Sequence, residues 1–198
     1  MSTKLYDDAL VAKLRGWTQN TKIHVYGPDD ARQLFETIAD EQGDTPIKLP
    51  IISLTRGGGY EIQNINKRPV SYDGFTQRAT EDKSLQINMI PISIPYQLDV
   101  YTRYYAEADA FMRDLVFNFI NHPTFEVVMP YNNAQTKHTA NVRINTQVEN
   151  NSNIPERMVV GQFTRLTLQL VVDDAYLWDT RIRGNFQIDK ALVDTIDQ

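Results

Sequence analysis

Three consecutive glycines, Gly57-Gly58-Gly59, interrupt an apolar run in "IISLTRGGGYEI", residues 51–62. A glycine-rich turn can wrap backbone amides around a phosphate, so the triplet is the first place to look for chemistry. A P-loop requires G-x-x-x-x-G-K-[ST], in which the lysine and hydroxyl meet the γ-phosphate and magnesium. "GGGYEIQN" has no such lysine. A dinucleotide-binding turn needs a helix directly after its glycines. Tyr60-Glu61-Ile62 reads instead as strand or loop. The triplet therefore predicts a flexible or positive-φ turn, not a cofactor cradle.

"LQLVVDDAY" has the outline of a strand whose terminal acids hold magnesium, but the lysine motif that would partner it is missing. Asp173 and Asp174 are expected to end a strand at solvent. His24, His122 and His138 stand apart, with no H-x-x-x-H spacing that would make a metal pair. His122 precedes Pro123 at an expected helix C-terminus, where a cationic ring is favoured in any case. Asp7/Asp8, Asp29/Asp30, Asp40/Glu41 and Asp173/Asp174 are adjacent acids that helix starts and turns place without chemistry. A serine nucleophile on a G-x-S-x-G elbow is absent. Tyr101, Tyr104 and Tyr105 cluster in "DVYTRYYAEADAF" with only Arg103 nearby. They are expected to pack in the core with hydroxyls at its edge; a base-stacking platform would interleave more cations. No catalytic, cofactor-binding or metal residue is assigned.

Charge and composition narrow the field further. The net charge of -5 argues against a general nucleic-acid binder, which needs a basic surface to displace counterions. Direct nucleic-acid readout is not expected. With 41% hydrophobic and 23% charged residues, a chain of 198 residues should fold around a sizeable core. Zero cysteines exclude a disulfide framework, a thiolate zinc site and a cysteine nucleophile. "MSTKLYDDALVAKLRGW" does not read as a signal peptide, and no stretch approaches the roughly 20 apolar residues of a membrane span. The expectation is a soluble protein with no membrane partner.

These residues must be positioned by alternating elements. A helix is predicted over 4–17, with Tyr6, Leu10, Leu14 and Trp17 on one face and Asp7 and Asp8 in its first turn. "TKIHVY" suits a short strand at 21–26, and "GPDDARQLFETIA" starts a helix at Pro28. "IKLPIISLT", 47–55, reads as a strand with Pro50 at an edge or irregular position. Residues 56–85 are mostly polar and long for a connection. The clearest strand is 86–101. Its even positions from Ile90 to Val100 are apolar, while Pro91 and Pro95 remove two N–H groups from one side. That side cannot be fully paired, which predicts a sheet edge or a bend.

A helix over 102–121 follows, with Thr102 as N-cap. Tyr104, Ala108, Phe111, Leu115 and Phe119 form its buried stripe, widened by Met112, Val116 and Ile120. Strands at 124–130, 138–148 and 159–173 complete the pattern, the last two joined through "ENNSNIPER". The expected fold is one α+β domain over 1–198. It has a mainly antiparallel sheet, helices 102–121 and 28–40 packed on one face, and a long C-terminal β-hairpin. An extended loop at 56–85 and a tail at 174–198 stand outside that core.

The order of segments carries a resemblance. "GPDDARQLFETIADE", "PIKLPIISLTR", a polar loop, "IPISIPYQLDVYTRYYAEADAFMRDLVFNFINHPTFEVVMPY" and a closing hairpin follow one another. The strand–helix–strand segment 86–130 carries most of it. This layout resembles the small neck and tail-completion proteins of contractile-tailed bacteriophages, with tail terminators the nearest match. The resemblance implies a structural virion protein, not an enzyme, assembled in the host cytoplasm. It implies a homohexameric ring that stops growth of the tail tube and sheath and docks the head connector. Its partners would be itself, tube and sheath proteins, and head–tail connector proteins. No cofactor is implied. A baseplate component such as a sheath initiator shares this design and stands as the second structural reading. The rival of another class is a small hydrolase or nucleotide-binding enzyme using the glycine loop. On the leading reading, Gly57, Gly58 and Gly59 hinge an arm, 56–85, that orders against a neighbouring subunit.

Overall fold

A computed structural model describes residues 2–19, 21, 23–30, 49–63, 70–71, 78–79, 83–84, 88–131, 134–152 and 163–178. The fold is α+β and dominated by strands. Helix α1 (Ser2–Thr18) is followed by β1 (His24–Tyr26), β2 (Ile51–Arg56), β3 (Glu61–Ile62), β4 (Val70–Ser71), β5 (Arg78–Ala79) and β6 (Lys83–Ser84). Then come β7 (Asn88–Thr102), helix α2 (Tyr105–Asn121), β8 (Thr124–Tyr131), β9 (Ala134–Asn150) and β10 (Thr164–Trp178). The main sheet runs β1-β2-β7-β10-β9-β8, with β3 and β4 also paired to β7, and β5 pairs β6 separately. Among the described residues only the β1–β2 pair is parallel, so the sheet is mixed but mainly antiparallel. Residues 28–30 are helical; the remainder of the helix expected over 28–40 lies outside the described residues. So do 153–162 of the β9–β10 connection and the end of the expected tail, although 174–178 belong to β10 and not to a tail.

Strand β7 is the spine of the sheet, not its edge. One side pairs with β10 from Met89 to Thr102. The other side meets β2, β3 and β4 in turn. Pro91 and Pro95 explain why that side is paired in pieces. Their carbonyls accept from the N–H groups of Gln63 (3.0 Å) and Gly57 (2.9 Å), so their missing N–H groups face the same way. Neither proline can return the second bond of the pair. The breaks fall there: β2 ends at Arg56, beside Pro95, and β3 ends at Ile62, beside Pro91. The expectation of incomplete pairing on one side was right in its cause. The expected sheet edge is not found, because β2, β3 and β4 pair along that side in turn.

The even face of β7 builds the core. Ile92, Ile94, Tyr96, Leu98 and Val100 are buried with Leu166, Leu168, Leu170 and Val172 of β10. Both helices lie on this face. Tyr6, Leu10 and Leu14 of α1 and Ala108, Met112, Leu115 and Phe119 of α2 join the same cluster. Trp17 of α1 meets Phe119 of α2 edge-to-face, with ring centroids 4.8 Å apart. Leucine-sized side chains contribute about 1.5–3 kcal/mol each when fully buried, so this layer is the main source of stability.

Four expectations about helices and strands need correction. Helix α1 begins at Ser2, which moves Asp7 out of the first turn. The N-cap of α2 is Tyr104, not Thr102; Thr102 ends β7, and its hydroxyl donates to the Tyr104 carbonyl at 2.7 Å. Ile120 does not widen the buried stripe of α2, and Tyr104 does not belong to it: both are exposed. Pro50 lies just before β2, after a cis Leu49–Pro50 bond, and β2 is an interior strand between β1 and β7.

Candidate functional site

Two buried polar clusters flank β7, one on each face. On the helix face, Asp7 of α1 is nearly fully buried and points to the end of β2. Arg56 clamps its carboxylate through Nε (3.2 Å) and Nη2, and Tyr96 donates its hydroxyl to the same Oδ1 at 2.7 Å. Arg56 Nη1 also donates to Thr3 Oγ1 at 3.2 Å. Burial raises the Asp7 carboxyl above its ordinary range, against the opposing pull of Tyr96 and Arg56. Burial beside Asp7 pushes the Tyr96 phenol up as well. Tyr6, one residue before Asp7, accepts from the Tyr176 N–H at 2.9 Å, and burial raises its phenol. Phenols shifted upward do not exchange protons near neutrality, so Tyr6 and Tyr96 act as donors and acceptors that seat α1 on the sheet.

On the opposite face, Asp99 has no exposed surface and accepts four hydrogen bonds. Arg165 gives two, both at 3.1 Å; Thr167 gives one at 2.6 Å and Gln97 one at 2.9 Å. The Thr167 hydroxyl accepts from Asn151 at 2.9 Å, and Gln169 donates to Gln97 at 3.3 Å. The Arg165 guanidinium lies 5.5 Å from the Tyr101 ring centre, and Tyr101 packs on Phe163 and Ile51. Register brings these residues together: Asp99 stands opposite Thr167, and Gln97 opposite Gln169. The bidentate fork suits Arg and not Lys.

The glycine triplet forms a bulge. Arg56 is opposite Tyr96 and Glu61 is opposite Ser93, so four residues, 57–60, lie where β7 has only Ile94 and Pro95. A side chain on Gly57 would meet Pro95 Cγ at 3.0 Å, whereas the Cβ positions of Gly58 and Gly59 are open. Gly57 is thus required by close approach and Gly59 by its backbone, whose φ of 159° side chains rarely adopt, while Gly58 is required by neither. Chain pairing resumes on β7 at Glu61 and again at Val70. Gly57→Ala should lower stability by about 1–3 kcal/mol through overpacking, while Gly58→Ala should stay within about 0.5 kcal/mol of the parent. Urea unfolding of the two variants separates these outcomes; equal effects would refute the Pro95 contact as the reason.

The other candidates are dispersed. Asp173 and Asp174 lie inside β10, not at its end. Asp173 takes Arg143 at 2.9 Å and the Ser93 hydroxyl at 3.3 Å, and Asp174 sits at φ 57 beside a register shift. The Asp174 carbonyl is 2.7 Å from His138 Nε2, and burial lowers the His138 pKa, which favours the neutral ring donating there. His24 is exposed on β1, and His122 is the exposed C-cap of α2. Asp29 accepts from Lys4 at 3.0 Å; Asp40 and Glu41 lie outside the described residues. Of the three tyrosines, only Tyr101 packs inside, while Tyr104 and Tyr105 are exposed. Among the described residues no group of three His, Cys, Asp or Glu could hold a metal ion, and no helix is long and apolar enough to cross a membrane. Sequence reasoning missed Arg56, Tyr96, Asp99 and Arg165. Their signal is cross-strand register and helix docking, which no local pattern encodes.

No protein-family model matches the sequence, and no curated protein matches it.

Proposed function

We propose that the chain is a ring-forming structural subunit of a contractile phage tail, a tail terminator or neck protein, that works by assembling. It would cap the tube and sheath with one face and offer the other to the head connector. The observation that carries this reading is the length of the sheet strands. β7, β9 and β10 have 15, 17 and 15 residues, well beyond the roughly 5–6 of an average strand. Residues 145–150 of β9 are exposed, and β9 has three residues, 145–147, where β10 has only Gln169. A long, exposed strand of this kind suits clasping of a neighbouring subunit by strand addition. The resemblance over 86–130 covers β7, α2 and β8, which follow one another directly along the chain.

In this proposal the Gly57–Gly59 bulge lets the 56–85 segment settle against the next subunit. Native mass spectrometry should find a hexamer, free or on tail tubes, and assembled tails should protect 57–85 from a protease that cuts the free subunit. A strictly monomeric protein that never co-purifies with tails would overturn the reading. A subunit found by microscopy at the distal end would move it to the baseplate reading.

A further inference from the structure

The ladder between β9 and β10 ends early. Among the described residues it stops at the Asp173–Asn141 pair. From there β10 continues along β7 to Trp178, while β9 is paired with β8 as far as Ala134. The two strands diverge, and side chains close the seam between them. His138 of β9 stands opposite Val127, on the same face as buried Ala140 and Val142, and its Nε2 lies 2.7 Å from the Asp174 carbonyl. That carbonyl is on offer because β10 bulges there. Asp173 and Asp174 lie where β7 has only Ser93, and Asp174 takes φ 57. A bulge takes its extra residue out of the ladder, so a side chain can satisfy the freed carbonyl.

Helix α1 covers the seam. It packs on both β8 and β10. Its Tyr6 has no exposed surface and meets the His138 ring edge-to-face, with centres 6.1 Å apart. Tyr176 flanks the imidazole in the same manner at 5.1 Å, and its backbone N–H donates to the Tyr6 hydroxyl at 2.9 Å. Helix, bulge and both strands thus meet on one imidazole. Among the described residues, the titratable groups facing it are Tyr6 from α1, and Tyr176 and Asp174 from β10. β8 presents Val127, which carries no charge. Lys137 and Glu126 pair with each other at 2.8 Å and are exposed, and Asp7 is held by Arg56 and Tyr96. Burial disfavours the charged ring, against a smaller opposing pull from Asp174.

We propose that His138 is an acid-sensitive clasp, whose protonation lifts the Tyr6 turn of α1 from the sheet and opens the β9–β10 seam while the strand ladders stay paired. A charged ring in this position needs water. The ladders are closed by regular backbone hydrogen bonds and the seam by a side-chain lid, so water enters under Tyr6. A histidine whose folded-state pKa is depressed contributes its stability in full above the unfolded value, about 6.5. It loses that contribution as pH falls from there through the folded value. Asp7 titrates with the opposite sign, so the clasp is read against a variant that keeps Asp7. The device uses α1, β9 and β10 and is independent of the phage-tail reading.

Amide exchange of the full chain, followed by NMR from about pH 7.5 to about pH 5, tests it. The Tyr176 N–H reports the seam directly, because its acceptor is the Tyr6 hydroxyl. Its protection factor should fall several-fold, by at most about tenfold per pH unit, while central β7 amides keep theirs. His138→Gln retains an N–H donor for the Asp174 carbonyl and cannot titrate, so its Tyr176 protection should hold across the range. In the parent, the Tyr6 ring signals should move with the His138 midpoint and not with that of His24 or His122, a measurement that needs no variant. The clasp is refuted if Tyr176 loses protection equally in His138→Gln, if His138 titrates without moving the Tyr6 ring, or if central β7 opens at the same midpoint.

Discussion

Replacing Arg165 with leucine should destabilise the fold by about 3–5 kcal/mol, the usual consequence of stripping one partner from a buried ion pair. Asp99 has no exposed surface, and Arg165 supplies two of its four hydrogen bonds. Thr167 and Gln97 remain but carry no charge, so the carboxylate keeps its desolvation cost without its counter-ion. A second change should restore much of the loss. Asp99→Asn in the Arg165→Leu background removes the stranded charge and keeps a carbonyl to accept from Thr167. The double-mutant cycle should therefore show strong coupling, well above the roughly 0.5 kcal/mol scatter of independent sites. Urea midpoints with an unchanged slope are the measurement. A loss under about 1 kcal/mol would mean that Asp99 is not held as the geometry indicates.

The second large effect depends on pH. Arg56→Met should cost about 3 kcal/mol at neutral pH and much less near pH 4. Burial already lifts the Asp7 carboxyl above its ordinary value, and Arg56 is one of the groups that hold it down. Removing the guanidinium lets the folded-state pKa rise further. A carboxyl with a raised folded-state pKa binds its proton more tightly folded than unfolded. Its contribution to stability is therefore fully present below the unfolded value, about 4, and is lost as pH rises through the folded value. The variant should thus regain stability on acidification across that window. The parent should respond less, since Arg56 compensates the charge. Asp7→Asn should make the Arg56→Met loss independent of pH. A deficit that is equal at pH 4 and pH 7 would show that Arg56 acts through packing of its stem and not through Asp7.

Both predictions concern residues that the sequence places correctly but explains wrongly. Asp7 reads as a first-turn acid favoured by the helix dipole, and Arg56, Asp99 and Arg165 read as no part of a site. Each assignment is locally reasonable. Helix α1 starts two residues before its expected start, and its buried stripe of Tyr6, Leu10 and Leu14 carries Asp7 inward beside Tyr6. Whether such an acid meets a cation depends on where β2 ends, 49 residues later. Asp99 shows the same gap. Its odd position in β7 reads as wet, because alternation assigns faces but not what fills them. The β10 register then sets Thr167 directly across, with Arg165 within reach.

The exposed half of α2 was hidden for a related reason. Apolar residues cover so much of this helix that a periodicity count cannot tell which stripe faces the sheet. Ile120 fits the buried set by spacing, yet it emerges at 60% exposure once Leu115 and Phe119 take the contact with the core. Only the docking angle of the helix decides between them.

What the sequence determined by itself is the set of elements and their inner faces. Strict alternation from Ile92 to Val100, helical spacing from Tyr6 to Leu14, and a proline at residue 123 encode local geometry. Local geometry follows from backbone sterics and hydrophobic periodicity alone. The paired prolines of β7 also marked which side of that strand could not be fully paired, because a missing N–H is a property of one residue. The tertiary structure decided which strand lies beside which, and so which charges are buried together. It also decided whether Gly57–Gly59 opens a loop or bulges a strand. These depend on contacts between residues 38 to 170 positions apart, and hydrogen-bond register at that range leaves no trace in the composition of either strand.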